Sequence, residues 1–147
     1  MQAYEQEHLT MLRALAPECM VLLKSDGAFP LEDPQPVALY GPGARHTVKG
    51  GTGSGDVNTR QFVTVEQGLE RAGCTITSKA WLDGYQAAFD AARRATDKAI
   101  LDTLARDGMS DIIWSLGNET RPFSYDLPMD GSGDTAIYVL SRLSGEG

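Results

Sequence analysis

A chain of 147 residues with a net charge of −7 is suited to one soluble globular domain. Its hydrophobic fraction of 41% and charged fraction of 22% are ordinary for a domain that buries a core. Nucleic acid and anionic membranes select clustered Lys and Arg, and the sequence has no such cluster, so neither partner is expected. The polar start MQAYEQEHLT lacks the apolar core of a signal peptide, which favours a cytoplasmic location.

Apolar residues near the start of the sequence are spaced three and four apart, which predicts a helix over residues 4–24. Pro17 lies inside this stretch and has no backbone N–H, so we expect a kink or two short helices there. Cys19 and Cys74 have apolar neighbours and no motif spacing. Both thiols are therefore expected to be reduced and buried.

Beyond residue 36, strand-like and helix-like patterns alternate along the chain. The predicted strands and helices are, in order, residues 37–40, 63–71, 74–78, 81–106 and 135–140, with the second and fourth helical. Strands that alternate with helices indicate parallel pairing, with helices on both faces of the sheet. The sequence therefore predicts an α/β fold, a three-layer α/β/α sandwich with a mainly parallel sheet, as a single domain over residues 1–147. Because no helix follows the last predicted strand, we expect this sandwich to be truncated.

Two glycine-rich stretches begin like nucleotide-binding motifs but lack residues that those motifs need. His46 stands where a dinucleotide fingerprint has its third glycine, and Lys49 precedes the second stretch, whereas a P-loop lysine closes it. The two histidines and two cysteines have no zinc-ligand spacing, and the aspartates near residue 130 lack the closing Glu of an EF-hand. We therefore expect no cofactor and no metal, and a nucleotide-binding module stays an alternative.

The remaining candidate is a pair of loops that follow the first and third predicted strands. One is the glycine-rich segment, residues 41–58, with the hydroxyls of Thr52 and Ser54, and the other carries Arg142 and Glu146. In a parallel sheet both loops emerge at the carboxyl edge, where open α/β sheets bind ligands. Hydroxyl, backbone and carboxyl groups together suit a polar neutral ligand such as a sugar. The alternative is that both loops are ordinary tight turns.

Four stretches, taken in order, resemble family 3 glycoside hydrolases. CMVLLKSDGAFPL at residues 19–31 resembles the VLLKN-x-G-x-LPL segment of that family, and VALYGPGA at residues 37–44 is similar to the strand that follows it there. KGGTGSGDVN at residues 49–58 resembles the family's GG-x-GSG loop, and AIYVLSRLSGEG at residues 136–147 resembles the start of its SGEG-x-DR segment. The matched span is the α/β sandwich domain, which in that family packs against a (β/α)₈ barrel.

The resemblance implies a retaining β-glucosidase-type hydrolase acting on β-glucosides or related oligosaccharides. An aspartate on the barrel would be the nucleophile and Glu146 the acid/base, while Thr52, Gly53 and Ser54 would belong to the loop that borders the sugar subsite. The Ser-Asp-Trp nucleophile motif of the family does not occur in this sequence. The resemblance therefore implies a fragment that is inactive alone and whose partner is the (β/α)₈ barrel domain of the same parent chain.

Two further interpretations of the sequence are open. A non-catalytic carbohydrate-binding or interaction module would use the same loops without a second carboxyl group. A domain separated from its barrel would also expose apolar surface, so self-association of the fragment is possible.

Overall fold

A computed structural model describes residues 1–50, 57–107 and 123–142. The chain divides into two compact units, residues 1–33 and residues 34–147. The single sandwich domain over residues 1–147 stays a prediction.

The first unit contains one helix and a short 3₁₀ turn. Helix α1 spans Ala3–Leu15 and begins with a capping box in which Gln2 and Glu5 exchange side-chain and backbone hydrogen bonds. A 3₁₀ helix, Ala16–Cys19, follows, with Pro17 in its first turn. The predicted interruption at Pro17 is confirmed. The predicted helix over residues 20–24 was wrong, because Met20 is extended and no helix is assigned to the residues after it. The predicted burial of Cys19 was also wrong, since its thiol is exposed, and Cys74 is partly buried.

The second unit contains a three-stranded parallel sheet. Strands β1, β2 and β3 span Pro36–Tyr40, Thr75–Ile76 and Thr135–Tyr138. Their order is β2-β1-β3, with Val37 opposite Ile76 on one side and Tyr40 opposite Tyr138 on the other. The parallel sheet and its helices confirm the α/β fold, while the three-layer arrangement stays a prediction.

Two helices connect these strands. Helix α2, Val65–Arg71, starts at a capping box made by Thr64 and Gln67, and the chain turns after it at Gly73, where φ is +94°. Helix α3, Lys79–Asp107, follows β2 and leads toward β3. A 3₁₀ turn, Pro42–Ala44, follows β1 directly.

The core is centred on β1. Its residues Val37 and Leu39 point to one face and Ala38 and Tyr40 to the other, and all four are at most 4% exposed. Burial on both faces is typical of parallel sheets that are covered on both sides. The first turns of α3 add the buried side chains Trp81, Leu82 and Tyr85.

Ser78 explains why β2 is shorter than the predicted strand over residues 74–78. Its hydroxyl is buried, accepts a hydrogen bond from Leu39 N at 2.7 Å and donates one to Leu39 O at 2.6 Å. The side chain therefore satisfies the backbone groups of β1 that a longer β2 would otherwise pair with. The same residue lies immediately before α3 and fixes the start of that helix against the central strand.

Candidate functional site

The strand order creates a topological switch point at the carboxyl ends of β1 and β3. The chain leaves β1 for β2 on one side and then crosses to β3 on the other. In open α/β sheets the crevice at such a point, outside the carboxyl ends of the strands, is where ligands bind. Both loops that were predicted from the sequence to form the site begin at this edge of the sheet.

The two loops are in contact where they leave the sheet. Val139 N donates a hydrogen bond to Tyr40 O at 2.8 Å, and Gly43 N donates to Val139 O at 3.2 Å. Gly41 adopts a φ of +92°, and a Cβ on it would lie 2.9 Å from both N and C of Val139. Glycine is therefore required at residue 41 both for its backbone conformation and for the close approach of the two loops.

Thr47 joins the glycine-rich segment to the start of α2. Its hydroxyl donates to Gly43 O at 2.7 Å and accepts a hydrogen bond from Val65 N at 3.1 Å. Val65 is the first residue of α2, and the first N–H groups of a helix have no partner within the helix. A residue of the segment thus caps the helix that follows it.

An ion-pair cluster lies beside this contact. The Arg45 guanidinium binds Glu66 through Nε–Oε2 at 2.6 Å and Nη2–Oε1 at 3.1 Å, and its Nη1 reaches Asp83 Oδ1 at 2.7 Å. Lys79 also contacts Glu66, at 3.6 Å, and pairs with Glu70. The hydrogen bond from Arg45 lowers the pKa of the buried Glu66 carboxyl, and the same bond raises the pKa of Arg45.

His46 lies between this cluster and an aromatic group on α3. Its ring lies against Phe89, with ring centroids 4.0 Å apart, and at 6.3 Å from Tyr85. His46 Nε2 is buried without a hydrogen-bond partner among residues 1–50, 57–107 and 123–142. Burial lowers the pKa of His46, so the neutral imidazole is favoured.

Neither a metal cluster nor a membrane-spanning helix is found within the described ranges. Among those residues, no group of three or more His, Cys, Asp or Glu side chains is placed to hold a metal ion. No helix in that part of the chain is both long and apolar enough to cross a membrane.

Comparison with known proteins identifies the family. The model of the glycosyl hydrolase family 3 C-terminal domain matches residues 20–145, which is most of the chain. The chain belongs to this family. Beta-glucosidase A of Butyrivibrio fibrisolvens is 32% identical over 145 residues, which cover 97% of this chain and 16% of that protein. No solved structure matches the chain significantly.

Membership of family 3 confirms the resemblance that the four sequence stretches carried. The predicted site residues Thr52, Gly53, Ser54 and Glu146 lie outside the described residues, so their roles stay predictions. The structure brings together the first residues of the two loops. The loop after β1 is described up to Gly50, and the chain after β3 is described up to Arg142, which is exposed.

Sequence reasoning did not find the residues that join the glycine-rich segment to α2. Arg45 and Glu66 are 21 residues apart, and no periodicity links them. One signal was available, because Thr64 and Gln67 have the spacing of a capping box and so mark the start of a helix. That start places Glu66 in the first turn of α2, where a carboxylate is favoured by the helix dipole.

Proposed function

We propose that this chain is the sandwich domain of a retaining β-glucosidase-type hydrolase that cleaves terminal β-D-glycosides. In this proposal Glu146 is the acid/base, and Thr52, Gly53 and Ser54 form the sugar-binding part of the glycine-rich segment. The observation that carries the proposal is the contact between Gly43 and Val139 at the switch point. It supports the proposal because the segments with the hydroxyls and with the carboxyl group begin next to each other.

The family supports this chemistry, since the matched relative is a Beta-glucosidase A. A retaining mechanism needs two carboxyl groups about 5–5.5 Å apart, one to attack the anomeric carbon and one to protonate the leaving oxygen. Glu146 would donate its proton to that oxygen and, in the second step, remove a proton from the attacking water. The nucleophile would come from a (β/α)₈ barrel domain of the same parent protein, because the chain spans only 16% of its relative.

The proposed acid role of Glu146 depends on the pKa of its carboxyl group. A carboxyl group that must be protonated before it acts needs a raised pKa, which burial and a neighbouring negative charge supply. Both would come from the barrel, so the proposal expects the chain alone to be inactive. Its expected substrate, a neutral sugar, also fits a domain with a net charge of −7, because no anionic ligand has to approach it.

The test is hydrolysis of aryl β-glucosides by the full-length protein and its Glu146→Ala variant. Loss of the general acid lowers kcat/KM by about 10²–10⁴-fold for a poor leaving group, and far less for a good one that departs without protonation. With the good leaving group, hydrolysis of the glycosyl intermediate becomes the slow step because the base is missing. Azide then restores turnover and gives the β-glycosyl azide, because it attacks this intermediate without needing a base. Glu7→Ala, at an exposed position of α1, is the control and keeps wild-type rates.

Full activity of the Glu146→Ala variant on a poor leaving group would remove this residue from the mechanism. Sugar binding by the full-length wild-type protein with no hydrolysis of any β-glycoside would overturn the hydrolase proposal. That second result would instead support the non-catalytic carbohydrate-binding module.

A further inference from the structure

We propose that Arg45, Thr47 and Glu66 are positioning residues that clamp residues 45–49 of the glycine-rich segment to residues 57–66. The clamp lies outside the proposed sugar subsite and acts on it through the backbone. This inference rests on the proposed function for its effect on substrate, but the clamp itself is a property of the described residues and is testable without substrate.

The first part of the clamp is the two-pronged ion pair between Arg45 and Glu66. Its N–O distances of 2.6 and 3.1 Å use two guanidinium nitrogens and both carboxylate oxygens. Such planar pairing fixes orientation as well as distance, unlike the point charge of a lysine. Because Arg45 precedes Thr52 and Ser54 in the sequence and Glu66 follows them, the pair joins the chain on either side of these residues, and this joined region is called the base of the segment.

The Glu66 carboxylate is the member of the pair that is shielded from water. Its side chain is 10% exposed, compared with 22% for Arg45 and 69% for Asp83. A shielded carboxylate that loses its guanidinium partner keeps the cost of its desolvation, whereas Asp83 regains water easily. The Arg45–Glu66 contact therefore contributes more to the clamp than the Arg45–Asp83 contact.

The second part of the clamp consists of two hydrogen bonds that join residues 47–49 to residues 57–65. Thr47 accepts a hydrogen bond from Val65 N at 3.1 Å, and Lys49 Nζ donates to Val57 O. Together with the ion pair, these contacts form three successive cross-links between residues 45–49 and residues 57–66. Closing a flexible loop costs entropy that rises with its length, and contacts at the base offset that cost.

Position matters because a sugar hydroxyl is recognised by short, directional hydrogen bonds. A displacement of about 1 Å at a reacting or binding group can cost up to about a hundredfold in rate. We therefore expect a loosened clamp to weaken binding of the glycoside while leaving the acid/base group itself intact. The signature is a higher KM for aryl β-glucosides with a smaller change in kcat.

The experiment compares Arg45→Met, Glu66→Gln and Thr47→Val with Asp83→Asn in the full-length protein. Hydrogen–deuterium exchange of residues 47–64 is measured first, and the clamp predicts exchange about tenfold faster or more in the first three variants, as local opening becomes more frequent. Asp83→Asn is the matched control, since it removes a contact of the same arginine without opening the base of the segment. Exchange in β1 and α3 stays unchanged and shows that each variant is folded.

The second arm is kinetic. KM for aryl β-glucosides is expected to rise about tenfold or more in Arg45→Met. The charge-swapped double variant Arg45→Glu/Glu66→Arg is expected to have a KM closer to the wild-type value. A general loss of stability would not give this recovery. Thr47→Val tests the clamp without leaving a buried charge unpaired, should the other variants fail to fold.

The two arms separate the clamp from the proposed function. Unchanged exchange of residues 47–64 in Thr47→Val and in a folded Arg45→Met would overturn the clamp, whatever the kinetics. Faster exchange in a protein that hydrolyses no β-glycoside would support the clamp and overturn the proposed function instead.

Discussion

His46 is a residue whose surroundings oppose its charged form. The imidazole contacts Phe89, and its Nε2 is buried without a partner in the described part of the chain. Burial is the main cause that lowers the pKa of His46, and the charges of Arg45 and Arg93 lower it further. A hydrogen bond with Gln86 and the charge of Asp90 raise the pKa, but by less. The neutral ring is therefore the form that the folded protein accommodates.

This burial predicts a loss of stability in mild acid. The folded pKa of His46 lies below its ordinary value of 6.5, so the unfolded chain binds a proton more readily than the folded one. The free energy of unfolding is therefore highest above pH 6.5 and falls as the pH decreases through the folded pKa. Urea denaturation at a series of pH values measures this fall, and His46→Gln is expected to flatten it.

His8→Gln is the matched control, because His8 is exposed on α1, and it is expected to keep the wild-type pH profile. A second fall, below pH 4.5, is expected in both variants, since the pKa of Glu66 is also lowered and its pairing with Arg45 is lost on protonation. An identical profile for wild type and His46→Gln above pH 4.5 would contradict the role assigned to His46.

At the scale of elements, the junction of β1 with β3 depends on Gly41. A Cβ there would overlap the backbone of Val139, and the residue would also have to hold a φ of +92°. The conformational strain of a side chain at positive φ costs about 1–3 kcal/mol, and the overlap adds to it because neither backbone can move independently of the sheet. Gly41→Ala is therefore expected to lower the free energy of unfolding by about 3 kcal/mol or more.

Gly73→Ala separates the two contributions. Gly73 has a similar φ of +94°, but among the described residues a Cβ on it would meet only the Pro34 side chain, at 3.2 Å. This variant is expected to lose only the conformational part, about 1–2 kcal/mol, in the same urea experiment. Equal losses for the two variants would show that the overlap of the new Cβ with Val139 adds nothing to the conformational cost.

Sequence patterns predicted well the elements that bury either one face or both faces. Strand β1 was predicted from four consecutive apolar residues, and it is buried on both faces. Helix α3 was predicted from a stripe that includes Tyr85, which lies in the core. The predicted ends of strands were less accurate, because a single tertiary contact, the hydroxyl of Ser78 on Leu39, decides where β2 stops.

The candidate site was predictable in outline from its elements. Alternating strands and helices imply that loops after parallel strands share one edge, and the contact of Gly43 with Val139 agrees with this. The strand order β2-β1-β3 was not predictable, because the hydrophobic pattern of the strands does not say which strand lies on each side of β1. The pairing of Arg45 with Glu66 was equally hidden, since it depends on the path of the intervening chain and not on local sequence.

At the scale of the whole molecule, the first compact unit carries a run of exposed apolar side chains. The stretch Met20, Val21, Leu22 and Leu23 is exposed, and Leu23 reaches 93%. Four neighbouring apolar side chains form the kind of surface that marks an interaction site more often than a free one.

The same stretch predicts that the 147-residue chain, produced alone, associates with itself. Burying a Val or Leu side chain contributes about 1.5–3 kcal/mol each, whereas the net charge of −7 opposes the approach of two copies. Added salt screens that repulsion, so association is expected to strengthen with salt.

Val21→Ser/Leu23→Ser is expected to weaken self-association at least about tenfold in sedimentation velocity, since 1.4 kcal/mol corresponds to a factor of ten. Leu101→Ser, at an exposed position of α3, is the control and leaves association unchanged. A chain that stays monomeric at every protein and salt concentration would show that this surface does not associate.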